Sequence, residues 1–231
     1  NGVGGALRLR APGSRVEGNV ISSADTGLLA FGDASDLEIV DNFFGTDQLE
    51  TADLGMDTAI RILLGSQDNL ISGNVITNNN SGVTIVSGNG NRITANSIHN
   101  NTVIGIDLGE DGATANDVAD NDTGANNLQN APDISQADLS GGNLTITYRV
   151  DTVGVAAQYP LEIEFFISDG NGQGQTLIGT NTYLAVERRT EKTIVLAVVG
   201  VSGGEQLVAT ATDLFGNTSE FGLEFNVDGG A

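Results

Sequence analysis

The chain has 231 residues, with 30 Asp and Glu against 9 Lys and Arg and a formal charge of −21 at pH 7. A surface that acidic repels nucleic acid and anionic membranes, and excludes both as partners. There is no Cys, so disulfides, thiol chemistry and Cys-ligated zinc or iron–sulfur sites are excluded too, and no apolar run reaches the roughly 18 residues that span a bilayer. Hydrophobic residues make up 39% of the chain, enough to build a core despite the charge. The chain opens at Asn1 within patterned sequence and reads as a piece of something longer.

The first half is a repeat. Four segments align without gaps: 14–21, 37–44, 69–76 and 91–98, anchored on Asn19, Asn42, Asn74 and Asn96. The steps between anchors are 23, 32 and 22 residues, the long one holding an insertion at about Gly45 to Met56. A second register runs alongside, at 27–30, 59–62, 82–85 and 105–108, with Ala6-Leu7-Arg8-Leu9 as an earlier copy. Apolar residues alternate in each, the signature of short strands with one buried face.

A unit this short cannot close a core alone and must stack on its neighbours. Stacked strands lie roughly 4.8 Å apart, so equivalent residues should form ladders. The expected aliphatic stacks are Val16/Ile39/Ile71/Ile93, Ile21/Phe44/Ile76/Ile98 and Leu28/Ile60/Val83/Ile106. The anchor Asn side chains should stack at a bend and bond turn backbone. A leucine-rich repeat has a similar period but needs regularly spaced Leu, which is not seen.

Gly18-Asn19-Val20-Ile21, Gly73-Asn74-Val75-Ile76 and Gly105-Ile106-Asp107-Leu108-Gly109, set among Asn-rich bends, resemble the right-handed parallel β-helix (pectate-lyase-like) superfamily. The run from Gly105 through Asn116-Asp117 and Asp122-Thr123-Gly124 to Asn130 resembles large secreted bacterial surface proteins. In those, such coils end in an Asp/Asn-rich loop and an Ig-like domain follows. The resemblance implies four or five coils over 1–130 and an antiparallel Ig-like β-sandwich over 131–231, and it leaves activity open, because β-helices host lyases, hydrolases, adhesins and stalks alike.

The second half supports that division. Runs at 143–150, 161–168, 176–184, 193–199, 205–212 and 219–227 read as strands separated by Gly/Asn/Asp turns, which argues a sandwich. Ala209 to Glu220 resembles the last hairpin of bacterial Ig-like domains.

The densest chemistry lies between Asp107 and Asn126. Hard oxygen donors at this density suit Ca²⁺, and Asp120-x-Asp122-x-Gly124-x-Asn126 alternates as a calcium loop does, without the closing Glu of an EF-hand. The candidate ligands are Asp111, Asp117, Asp120, Asp122 and Asn126; the plain alternative is a solvated acidic loop over the last coil. Asp213-x-x-Gly216-Asn217 reads as a turn using Asx hydrogen bonds. For a polysaccharide lyase the weak catalytic candidates are Arg61 and Asp107, two coils apart on one register; a solvated or paired Arg61 is the plainer expectation. Arg15 and Glu38 should pair across coils, and the lone His99 should serve packing. Tyr148, Tyr159 and Tyr183 fit core or interface roles.

The expected function is therefore a non-catalytic structural or adhesive segment of a secreted bacterial surface or matrix protein, located outside the cell, stabilised by Ca²⁺ and self-associating head to tail through an uncovered end near Gly2–Leu9. The alternative is a module that binds or cleaves extracellular polysaccharide.

Overall fold

The computed structural model describes residues 5–22, 25–154 and 157–229. The coils are built from β1 (Gly5–Leu9), β2 (Arg15–Glu17), β3 (Val20–Ile21), β4 (Thr26–Phe31), β5 (Glu38–Val40), β6 (Phe43–Phe44), β7 (Thr58–Leu63), β8 (Leu70–Ser72), β9 (Val75–Thr77), β10 (Ser81–Ile85), β11 (Arg92–Thr94), β12 (Ser97–His99) and β13 (Ile104–Leu108). Every third strand falls in the same sheet. The orders are β1-β4-β7-β10-β13, β2-β5-β8-β11 and β3-β6-β9-β12, and all the pairings are parallel.

The registers are those of the repeat. Val16, Ile39, Ile71 and Ile93 pair in succession, as do Ile21, Phe44, Ile76 and Ile98. Leu7, Leu28, Ile60, Val83 and Ile106 form the third stack. These ladders fill one core, joined by Ile62, Ile85 and Leu108. A parallel sheet buried on its inner face needs such β-branched stacks, because each coil offers the next only its own side chains. Gly82 is required by this closeness, since a Cβ there would sit 2.4 Å from the Gly105 carbonyl oxygen.

The bends are held by Asn side chains. Asn42, Asn74 and Asn96 each accept, through Oδ1, the backbone N–H and the side-chain amide of the Asn one coil earlier, at 2.9–3.0 Å. The Asn74 amide also donates to the Ile39 and Ser72 carbonyls. Two shorter ladders run beside this one, Asn69–Asn91 and Asn79–Asn101.

The second half contains β14 (Asp133–Ser140), β15 (Asn143–Arg149), β16 (Leu161–Ser168), β17 (Gly174–Tyr183), β18 (Lys192–Ala197), β19 (Gln206–Thr212), β20 (Phe225–Asn226) and β21 (Asp228–Gly229). They form two four-stranded sheets, β18-β15-β14-β21 and β17-β16-β19-β20. The sheets share a core that includes Leu144, Ile146, Ile163, Phe165, Leu207 and Ala209. All pairings are antiparallel except β14–β21. The whole is an all-β chain with a sandwich at its C-terminal end. Tyr148 and Tyr183 are buried in the sandwich core, their rings 5.7 Å apart. Tyr148 Oη donates to Asn181 at 2.9 Å.

The expected strand over 219–227 shrinks to Phe225–Asn226. Ahead of it, the Glu220 carboxylate and the Phe221 ring turn toward the coils, which takes the segment out of the sheet. β14, which pairs along β15, has no counterpart among the expected strands.

Candidate metal centre and the closed coil end

The last coil faces the sandwich, and sandwich side chains occupy the places where a further coil would put its own. Asn91 N–H donates to Asn126 Oδ1 (3.0 Å) and Asn101 N–H to Gln173 Oε1 (3.1 Å). Both short Asn ladders thus continue into side chains from outside the repeat. Ala95 N–H donates to the Glu164 carboxylate (3.0 Å), as does Thr94 Oγ1 (2.8 Å). Ile93 N–H reaches Thr218 Oγ1, Gly90 N–H reaches Asn217 Oδ1, and Leu108 N–H reaches Glu220 Oε1, all at 2.8–2.9 Å. All but the Thr94 hydroxyl are backbone donors of a terminal coil, which would otherwise be an open strand edge. Phe221 closes the apolar centre against the coil core, and Arg92 pairs with Glu162 at 2.7 Å.

Burying carboxylates as caps has an electrostatic consequence. Burial pushes the Glu220 pKa up to about 7, against the Leu108 and Thr114 amides that it accepts from, and the Asp107 charge adds to the rise. Glu164 is also raised, chiefly by burial.

Between the last coil and β14 runs the acidic linker. Asp117, Asp120 and Asp122 each place a carboxylate oxygen within 4.8 Å of the others, and such a group could hold a metal ion. Asp120 is 2% exposed. Its Oδ2 accepts from Thr152 Oγ1 (2.6 Å) and Gln129 Nε2 (3.1 Å), and its Oδ1 from Asn130 N–H (3.0 Å). The cluster therefore touches the sandwich as well as the linker. Burial, aided by the charges of Asp122 and Asp117, pushes the Asp120 pKa up to about 6. Asp122 is raised by burial and by Asp117, and its Oδ1 is shut off from solvent without a hydrogen-bond partner.

Asp111 is not in that group of three. The Asn126 side chain is spent on the ladder, donating to the Asn91 and Thr218 carbonyls at 2.8 and 3.0 Å. Asp111 sits in the turn beside Gly109. Asn126 and Asn127 adopt positive φ where the chain returns to the coil end.

Arg61 and Asp107 do share a register through Thr84, yet they do not form an open constellation. Arg61 makes a two-pronged pair with Glu110, Nε to Oε1 at 2.8 Å and Nη2 to Oε2 at 2.5 Å. Asp107 is buried, which raises its pKa against the turn amides of Gly112, Asp111 and Glu110. Arg15 pairs with both Glu38 and Glu17. The His99 ring is buried, and its Nδ1 lies 2.9 Å from Asn100 Nδ2. Burial lowers its pKa. Asp213 organises its own turn, Oδ1 accepting the Phe215 and Asn217 amides at 2.9 Å. Elsewhere a polar groove of about 590 Å³ lies beside the insertion, lined by Asp25, Asp53, Asp57, Asn78 and Asn80 among others.

The family model described as periplasmic copper-binding protein (NosD), a parallel β-helix family, matches residues 55–139. That span runs from the third coil through the last coil and the acidic linker into β14. The first half of the chain is a parallel β-helix. The adhesin domain of Epf from Streptococcus pyogenes is 14% identical, with a TM-score of 0.32, over 45% of this chain and 34% of that one. The chain thus spans about a third of that structure's length, and an overlap this loose carries no weight for fold or function. No helix among the described residues is long and apolar enough to cross a membrane.

Proposed function

We propose that this β-helix and sandwich form a non-catalytic structural or adhesive segment of an exported bacterial surface protein, with Asp117, Asp120 and Asp122 holding Ca²⁺. The observation that carries this reading is the closed coil end. At least six backbone donors of the final coil end on side chains from beyond the repeat, so helix and sandwich behave as one stiff body. A stiff spacer is what a surface segment needs. The absence of Cys and the charge of −21 suit a calcium-containing exterior.

The copper in the matched family's name does not fit this chain. Copper sites favour His, Met and Cys, and this sequence has one His, one Met and no Cys. Met56 is packed in the β-helix core, and the His99 ring is held by Asn100. The clustered carboxylates offer only hard oxygen donors, which fit Ca²⁺. A cation among them would offset the burial that chiefly raises Asp120 and the charges of Asp122 and Asp117 that add to it.

Calcium binding is tested by thermal unfolding at pH 7.5 with and without Ca²⁺. Ligand at tenfold excess over Kd adds about 1.4 kcal/mol, which raises the Tm of a chain this long by about 3–5 °C. The shift should vanish in Asp120→Asn. No shift in the parent chain, or an equal shift in the variant, would sink the calcium assignment.

Self-association belongs to the N-terminal end. β1, β2 and β3 are the outer strands of their sheets there, and Leu7 and Leu9 are only partly buried; Gly2 to Gly4 lie outside the described residues. The sandwich covers the opposite end, so a partner coil would meet the N-terminal face. Sedimentation over a hundredfold range of concentration should show mass rising. The Asp- and Asn-lined groove favours, as a second reading, binding of neutral polysaccharide through sugar hydroxyls; loss of glycan retention in Asp53→Ala would support it, and retention unchanged would remove it.

A further inference from the structure

We propose that the groove between β13 and residues 220–224 docks an extended segment of another protein in which apolar residues alternate with Lys or Arg. β13 is the outer strand of the five-stranded sheet. The sandwich lies close against the ends of the other two sheets, through Glu164 and Thr218 on β11 and through the Ser97–Gln175 bond (2.7 Å) on β12. Beside β13 it bonds Leu108 N–H through Glu220 and leaves, next to Ile104, Gly105 and Ile106, a cavity of about 380 Å³.

The lining states what would fit. The groove runs along Ile104, Gly105 and Ile106 of β13, with the half-buried Phe221 ring beside them. The rim carries Val103 and Leu223, which are 70% and 86% exposed. Apolar side chains left bare on both sides of one cleft mark an interaction surface. Glu224 is the partly exposed acid of this groove, Glu220 being the buried cap of Leu108 N–H, and neither Lys nor Arg lines it. An extended occupant sends successive side chains to opposite faces, so apolar residues can meet Val103, Phe221 and Leu223 while basic ones meet Glu224. Pairing along a sheet edge supplies the backbone hydrogen bonds of such a complex.

A second copy is a poorer occupant. In its own segment of this pattern, Leu7-Arg8-Leu9-Arg10, the first three residues are held in register against β4, and the sandwich obstructs coil-on-coil stacking at this end. The proposal stands apart from the calcium reading, because none of the three clustered aspartates lines the groove.

The test uses the full chain and three labelled hexapeptides, alternating Leu/Arg, Leu/Glu and Ser/Arg, followed by fluorescence anisotropy. The Leu/Arg peptide should bind at least tenfold more tightly than either control. Leu223→Lys and Val103→Lys should each weaken it at least tenfold. Val199→Lys adds the same charge at a residue 99% exposed outside the groove, and should change binding less than twofold. Equal binding of the Ser/Arg peptide would reduce the effect to general charge attraction and overturn the proposal. So would equal effects of Leu223→Lys and Val199→Lys. Self-association of the chain that the Leu/Arg peptide disperses would make a second copy the occupant, which also overturns it.

Discussion

Asn74 has no solvent-facing role; it is 1% exposed and serves the neighbouring coils. Its Oδ1 takes two donors from Asn42 and its amide reaches two carbonyls. Replacing it by Ala strands the buried Asn42 N–H, and a buried donor without a partner costs about 1–3 kcal/mol on top of the lost bonds. Asn74→Ala should therefore destabilise by about 2–4 kcal/mol in denaturant titration, whereas Asn19→Ala, at the exposed start of the ladder, should cost about half that. Glu220 makes a different prediction. Its folded pKa of about 7 lies above its ordinary 4.5, so the native state binds the extra proton. Its contribution is fully favourable below pH 4.5 and is lost as pH rises toward and past 7. Asp120, raised from 3.8 to about 6, acts in the same direction over a lower window. Without Ca²⁺, stability should fall between pH 5 and pH 8, and Glu220→Gln should flatten the upper part of that slope. An unchanged slope in the variant would assign the titration elsewhere. At this scale the anchor Asn residues were legible because their spacing repeats. The continuation of the side ladders into Asn126 and Gln173 was not, since Gln173 lies 72 residues from Asn101 and no local pattern links them.

The elements of the β-helix follow from alternation and stacking alone, and the stack of Val16, Ile39, Ile71 and Ile93 is legible in the repeat spacing. The sandwich strands followed from turn spacing, with the strand at 161–168 matching β16 residue for residue. The segment from Ser219 to Val227 carries a strand-like pattern, but its apolar residues serve two partners. Phe221 packs on the coil core while Phe225 packs on the sandwich core. An alternation read along the chain cannot say which body each residue faces. Phe221→Ala would open the apolar centre of the cap and should cost about 3–5 kcal/mol. Leu214→Ala, at an exposed turn, should change stability by less than about 0.5 kcal/mol.

For the molecule as a whole, the two hydrophobic cores are separate, but the coil end between them is satisfied only when both are formed. A β-helix stripped of its cap would expose Ile93, Ile98 and Ile106 beside open strand edges, a template for aggregation. The stiffness assigned to this segment depends on that mutual closure more than on any single ion pair. Differential scanning calorimetry of the chain tests it most directly. One transition is expected, with calorimetric and van't Hoff enthalpies equal, and Glu164→Ala combined with Gln173→Ala should split it into two. Two separate transitions in the unaltered chain would contradict the closed coil end, and with it the reading of this protein as one rigid segment.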